Sequence, residues 1–268
     1  MKRSGRKIVF WFAAALCVIC AVLLILALRS RAQHAKPVEK DPNGVIAAQE
    51  EAGQPVDFDA WQERNPDVYA WIEYPGTNVD YPIVQRPDDD AYYLRRDIDG
   101  GESVAGSLYT QQTYNTTTFD DPVTVIYGHN MANQTMFGGL QSHLEAASLE
   151  DEPENFYIYQ PGRVLTYRVV GGTPNNERHI LYYNDFYLPV AFRQFFDELY
   201  AQRSFHVNLP GLLRPEPGDR VVILSTCMNG EDHQRYLIIG VLTDDTANET
   251  RSYERRRDAI TADLCENN

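Results

Sequence analysis

Two stretches of this chain carry side chains that could together perform acyl-transfer chemistry. The first is Arg220 to Leu242, RVVILSTCMNGEDHQRYLIIGVL. Two β-rich runs flank a polar stretch, Met228 to Gln234, with Cys227 at the end of one run and Arg235 at the start of the next. If the runs pair antiparallel, Cys227 faces Arg235, and opposed residues hold their Cβ atoms roughly 5 Å apart on one face. A guanidinium there lowers the cost of forming a thiolate. It can also donate hydrogen bonds to a developing oxyanion. The second stretch is Val123 to Leu140, VTVIYGHNMANQTMFGGL. A strand ending at Tyr127, a tight bend at Gly128 and His129 at the tip put an imidazole where it could act as general acid and base. The same residues fit a plainer reading: a small core cysteine with an arginine nearby, and a hydrogen-bonded structural histidine.

His143, His179, His206 and His233 lack the strand-tip setting. His233 is near Cys227 in sequence and is the main competitor for the base. His129, His233 and Cys227 could in principle hold zinc, but no CxxC or HExxH spacing supports a metal site. Cys17 and Cys20 fall in an apolar run and Cys265 in a polar tail, so a disulfide framework is not expected; Cys227–Cys265 is the one obvious pair.

The elements that must position these groups begin beyond a membrane segment. Residues 8–28, IVFWFAAALCVICAVLLILAL, form a 21-residue run without charge, long enough for a helix to span a bilayer. Lys2, Arg3, Arg6 and Lys7 precede it, which keeps residues 1–7 cytoplasmic. No Ala-x-Ala site follows the run, so it reads as an uncleaved signal anchor. The first 31 residues hold six basic and no acidic side chains; the remainder sets 18 basic against 38 acidic, a net charge of −20. Such a surface argues against nucleic acid, which needs a basic face, and against lying on anionic lipid.

Residues 29–55 read as a polar linker, with a short helix possible over Val45–Ala52. A catalytic domain follows over 56–243, then a polar tail over 244–268, where Tyr253–Leu264 could form a surface helix. Asp57 is a fitting N-cap for a short helix. Strands are expected at Val68–Tyr74, Val79–Val84, Gly106–Tyr109, Val123–Tyr127, Phe156–Tyr159, Val164–Val170, Arg220–Leu224 and Tyr236–Leu242. Met136–Leu149 reads as helical. So does Leu188–Ser204, where Leu188, Ala191, Phe192, Phe195, Phe196 and Leu199 make an apolar stripe for packing on a sheet. Many short strands with turn signals point to a closed barrel or sandwich.

Taken together, these segments resemble the sortase family, and class B sortases in particular. The signature stands here as Leu224-Ser225-Thr226-Cys227, with Arg235 eight residues on. Ile223 occupies a position that is commonly Thr, an inward-facing strand position. Phe58-Asp59-Ala60, Asn65 to Ile72, Pro75 to Gln85, Ala91 to Leu94, Ala105-Gly106-Ser107, Tyr127 to Met131 and Met136 to Leu140 follow in the family's order. The resemblance covers roughly Asp57 to Leu242. Two departures bear on peptide recognition: Asp90 replaces a frequent Asn, and Leu108-Tyr109-Thr110-Gln111-Gln112 replaces an Asp-Tyr-Arg-Asn-like stretch.

The resemblance implies a mainly β fold with helices: a closed eight-stranded barrel, an N-terminal helix, and a long helix before the cysteine strand. It implies a cysteine transpeptidase that cleaves a C-terminal sorting signal (LPxTG/NPxTN-like) of secreted surface proteins after Thr. The thioacyl-enzyme would pass to an amine of a peptidoglycan precursor or a pilin. Cys227 would be the nucleophile, His129 the acid and base, and Arg235 the oxyanion and substrate group. Ser225, Thr226, Leu94 and Tyr127 would contact the peptide. No cofactor or metal is called for. The enzyme would sit at the cell membrane of a Gram-positive cell, single-pass, with its catalytic domain outside. Two other readings stay open: a cysteine peptidase releasing product to water, and a non-catalytic wall-binding barrel.

Overall fold

The computed structural model describes residues 56–228 and 230–247. The expected signal anchor, linker and most of the tail, with their helices at Val45–Ala52 and Tyr253–Leu264, lie outside the described residues. Among the described residues no helix is long and apolar enough to cross a membrane.

Eight strands close into a barrel. In chain order they are β1 (Val68–Tyr74), β2 (Val79–Val84), β3 (Leu108–Tyr109), β4 (Val123–Tyr127), β5 (Asn155–Gln160), β6 (Arg163–Asn176), β7 (Val221–Met228) and β8 (Glu231–Asp245). Around the barrel the order is β1-β2-β3-β4-β7-β8-β6-β5, with β5 paired back to β1. Only β2–β3 and β4–β7 are parallel. Four α-helices accompany the described barrel: α1 (Phe58–Arg64), α2 (Leu140–Ala146), the single turn α3 (Ile180–Tyr183), and α4 (Pro189–Tyr200). Asp57 caps α1 by accepting from Ala60 N–H at 3.0 Å, which satisfies one of the free donors of a first turn.

Strand alternation sorts the apolar residues into two layers. Ile72, Ile126, Ile158, Val222, Leu224 and Ile238 point into the barrel and join one core. Val123, Val125, Val221, Ile223, Ile239 and Val241 point outward and join a second core with Phe192, Phe195, Phe196 and Leu199 of α4. Ile223 is therefore buried beneath α4 rather than inside the barrel, correcting the inward orientation expected for it. Burying each of those α4 side chains contributes about 1.5–3 kcal/mol, so the second core is what holds α4 against β4, β7 and β8.

The helix expected over Met136–Leu149 is shorter. Met136 has φ 55° and Gly139 has φ 90°, left-handed values that no α-helix continues through, so α2 starts only after Gly139. The helix expected over Leu188–Ser204 runs Pro189–Tyr200, and Leu188 is its exposed N-cap (51 %) rather than part of the stripe. The polar stretch after Cys227 is largely strand. Met228 pairs with Glu231, and an irregularity beside Cys227 absorbs the intervening residues of β8.

Candidate active site

Three neighbouring strands deliver the reactive side chains to one rim. In the parallel β4–β7 pair, Tyr127 aligns with Ser225. Two residues further on, each strand carries a reactive group: His129 beyond β4 and Cys227 on β7. Because parallel neighbours lie about 4.8 Å apart, equal overhangs bring both groups to the same end. On the other side, antiparallel β8 sets Arg235 directly opposite Cys227. The thiol thus stands between the imidazole's strand and the guanidinium's strand.

Local contacts fix this rim. Gly128 N–H donates to Ser225 O at 3.1 Å, continuing the β4–β7 ladder one residue. Asn130 Nδ2 donates to the carbonyl of Cys227 itself at 2.8 Å. A Cβ at Gly128 would lie 2.5 Å from Leu108 Cδ2 and 2.6 Å from Phe137 Cδ2. Close approach, rather than the bend expected there, is thus what requires glycine.

Cys227 is a free, exposed thiol; Cys265 lies outside the described residues. His129 Nε2 is 2.7 Å from the carbonyl of Leu94. A carbonyl only accepts, so Nε2 carries hydrogen and the lone pair available for proton transfer is on Nδ1. Leu94 is 40 % exposed and lies in the 3₁₀ turn Tyr92–Arg95, where its N–H donates to Ala91 O at 3.1 Å.

Cys227, His129, Arg235, Ser225, Thr226, Leu94 and Tyr127 all line one cavity of about 260 Å³. Ser225 is buried on the cysteine's face of β7, whereas alternation turns Thr226 toward the barrel interior, where its hydroxyl is buried without a partner. Tyr127 also buries an unpartnered hydroxyl, and its ring stacks on Tyr109 at 5.4 Å. Burial raises both phenols, that of Tyr109 to about 12, and the positive charge of Arg235 pulls each partly back. The guanidinium is thereby an electrostatic neighbour of this tyrosine wall.

The competing histidines are accounted for differently. His233 is 85 % exposed, pairs with Glu177 at 3.2 Å, and is not part of the cavity wall. His143 pairs with Glu154 and His206 with Glu145. His179, set aside in the sequence, does line the cavity, as does Gln111. Gln111 falls in a stretch that departs from the family pattern, but nothing local links it to His179, because they meet across a separation of 68 residues. Among the described residues no group of three or more histidine, cysteine or carboxylate side chains is arranged to hold a metal ion.

A closed eight-stranded barrel with an exposed thiol on a rim strand is of the sortase type. No family model matches the chain. The sortase B of Listeria monocytogenes is 30 % identical over 176 residues, covering 65 % of this chain and 68 % of the relative. A class B sortase of Streptococcus pyogenes involved in pilus biogenesis is similar in structure with a TM-score of 0.56 at 28 % identity, covering 70 % of this chain and 98 % of that one. The sortase B of Clostridium perfringens gives a TM-score of 0.59 at 25 % identity, covering 70 % and 86 %. The chain belongs to the class B sortases and, with them, to the cysteine transpeptidases.

Proposed function

We propose that this transpeptidase cleaves a C-terminal sorting signal of the LPxTG/NPxTN-like class after its threonine, with Cys227 as nucleophile. The observation that carries this is the alignment of Cys227 between His129 and Arg235 at one rim, lining a common cavity. His129 Nδ1 takes the Cys227 thiol proton as the sulfur attacks the threonine carbonyl carbon, and the carbonyl π pair moves to the oxygen. Arg235 donates to that oxyanion. His129 gives a proton through Nδ1 to the departing amine as the C–N bond breaks, leaving a thioacyl-enzyme. An incoming amine then attacks the same carbon, His129 Nδ1 takes its proton, and as the C–S bond breaks that proton passes to the sulfur and restores the thiol. Leu94, Tyr127 and Ser225 line the peptide's path, and Thr226 contributes its backbone.

The acceptor we infer is an amine of a peptidoglycan precursor or of a pilin. The involvement of the Streptococcus pyogenes relative in pilus biogenesis supports the second source. Residues 8–28 anchor the chain in the membrane, residues 29–55 link it to the catalytic domain at 56–243, and residues 244–268 form a tail whose first two residues complete β8. The domain thus works outside the membrane. The test is turnover of sorting peptides with and without an amine such as triglycine. Ligated product that grows with amine is expected. Hydrolysis product alone, at every amine concentration, would replace the transferase reading with a peptidase.

A further inference from the structure

We propose that Gln111 is a substrate-binding residue, whose side-chain NH₂, oriented by His179, donates to a carbonyl of the bound donor peptide. The inference rests on the reading of the cavity as the donor-peptide site.

Proton bookkeeping sets the orientation. His179 caps α3, and its Nδ1 accepts from Tyr182 N–H at 3.1 Å. An accepting ring nitrogen has no hydrogen, so in the neutral ring the hydrogen sits on Nε2. Nε2 lies 2.7 Å from the Gln111 side chain and must donate, so the Gln111 atom facing it is the oxygen Oε1. The NH₂ is the end left for the cavity, and no acceptor among the described residues takes it. Burial holds the His179 pKa below its ordinary value, which keeps the ring neutral at neutral pH and the amide in this orientation.

The backbone beneath the side chain is also fixed. The carbonyl of Gln111 accepts from Tyr114 N–H at 3.1 Å and Asn115 N–H at 2.9 Å. The His179–Gln111 bond therefore ties the segment after β6 to the segment after β3, both of which wall the cavity. A fixed NH₂ offers two hydrogens and no acceptor. It recognises a backbone or side-chain amide carbonyl and not an ammonium group, which assigns it to the donor peptide rather than the amine.

Two variants separate donation from bracing. Gln111→Glu keeps an oxygen for His179 and removes the NH₂; Gln111→Met removes both. The full chain is assayed with quenched LPxTG- and NPxTN-type peptides at saturating triglycine. The donor-peptide KM should rise roughly 3- to 10-fold in both variants, the worth of one neutral hydrogen bond. kcat should stay within about twofold, as expected when binding common to ground and transition states is lost. Binding of the same peptides to Cys227→Ala, read by anisotropy, should weaken by the same factor when Gln111→Glu is added. Unchanged KM and unchanged binding in Gln111→Glu would overturn the inference, as would a fall in kcat at constant KM. Turnover that survives Cys227→Ala would instead bring down the underlying reading of the site, and this inference with it.

Discussion

Gly128→Ala tests how the fold holds the histidine in place. The added Cβ would lie 2.5 Å from Leu108 Cδ2 and 2.6 and 2.9 Å from two carbons of the Phe137 ring. Carbon atoms rest at about 3.5–4.0 Å, so the site is short by roughly 1 Å on both sides. Leu108 and Phe137 are both buried in the barrel core, and overpacking such a core costs about 1–3 kcal/mol. At about 2–4 °C per kcal/mol for a domain of this size, the melting temperature should fall by roughly 2–12 °C. The alternative relief is outward movement of the backbone at Gly128, which carries the adjacent His129 with it. A 1 Å misplacement of a catalytic group costs on the order of 100-fold in rate. Calorimetry and steady-state turnover on the same preparation should therefore show a folded, destabilised enzyme with a kcat about 100-fold down. Pairing the change with Phe137→Leu should restore part of both quantities, since touching residues couple. A Gly128→Ala enzyme with wild-type melting temperature and wild-type kcat would refute the argument.

Other outcomes follow from other parts of the molecule. Asp245, 1 % exposed, accepts from Arg163 Nη2 and Arg220 Nη2, each at 2.8 Å; Asp245→Asn leaves both arginines with Asp120 as their remaining carboxylate partner, and urea titration should show a loss of about 1.5–3 kcal/mol. The His143–Glu154 pair should shape stability against pH. The hydrogen bond to Glu154 raises the His143 pKa above 6.5, so that contribution is full below 6.5 and lost as pH rises through the raised value. Burial alone would raise the Glu154 pKa, but hydrogen bonds from His143 and Tyr74 outweigh it and hold it below 4.5; that contribution is full above 4.5 and lost on acidification. The melting-temperature gap between wild type and His143→Gln should be widest between pH 4.5 and 6.5; a gap that widens steadily above pH 7 would contradict it. Arg235→Gln should lower kcat by about 10²–10³, the worth of an oxyanion donor, measured on the same sorting peptides.

The sequence reads well where one face of a strand is buried and a turn follows. Val68–Tyr74, Val79–Val84 and Val123–Tyr127 are strands over those same residues, because alternation and flanking turn residues agree. The Cys227–Arg235 pairing is also readable, since two apolar runs around a polar stretch have few other ways to meet. Less legible is β6, whose Gly171, Gly172 and Pro174 do not look like strand interior. They are tolerated because β5 pairs only as far as Arg168, leaving that stretch laddered to β8 on one side and bridged on the other only by Gly172 to Asn208. The early part of the Met136–Leu149 segment has helical composition but left-handed backbone at Met136 and Gly139, which composition does not encode. The pairing of His179 with Gln111 is not legible in the sequence, because each side chain acquires meaning only from the partner that tertiary folding brings to it across 68 residues.

The central claim is that Cys227 carries the acyl group between donor and acceptor. It is tested most directly by acid-quenching the enzyme during turnover of a sorting peptide and locating the adduct by peptide-level mass spectrometry. The account predicts a thioester at Cys227 with the mass of the peptide up to its threonine. It should be discharged by triglycine and absent from Cys227→Ala. Turnover with no adduct at Cys227, or with the acyl group on another residue, would contradict it.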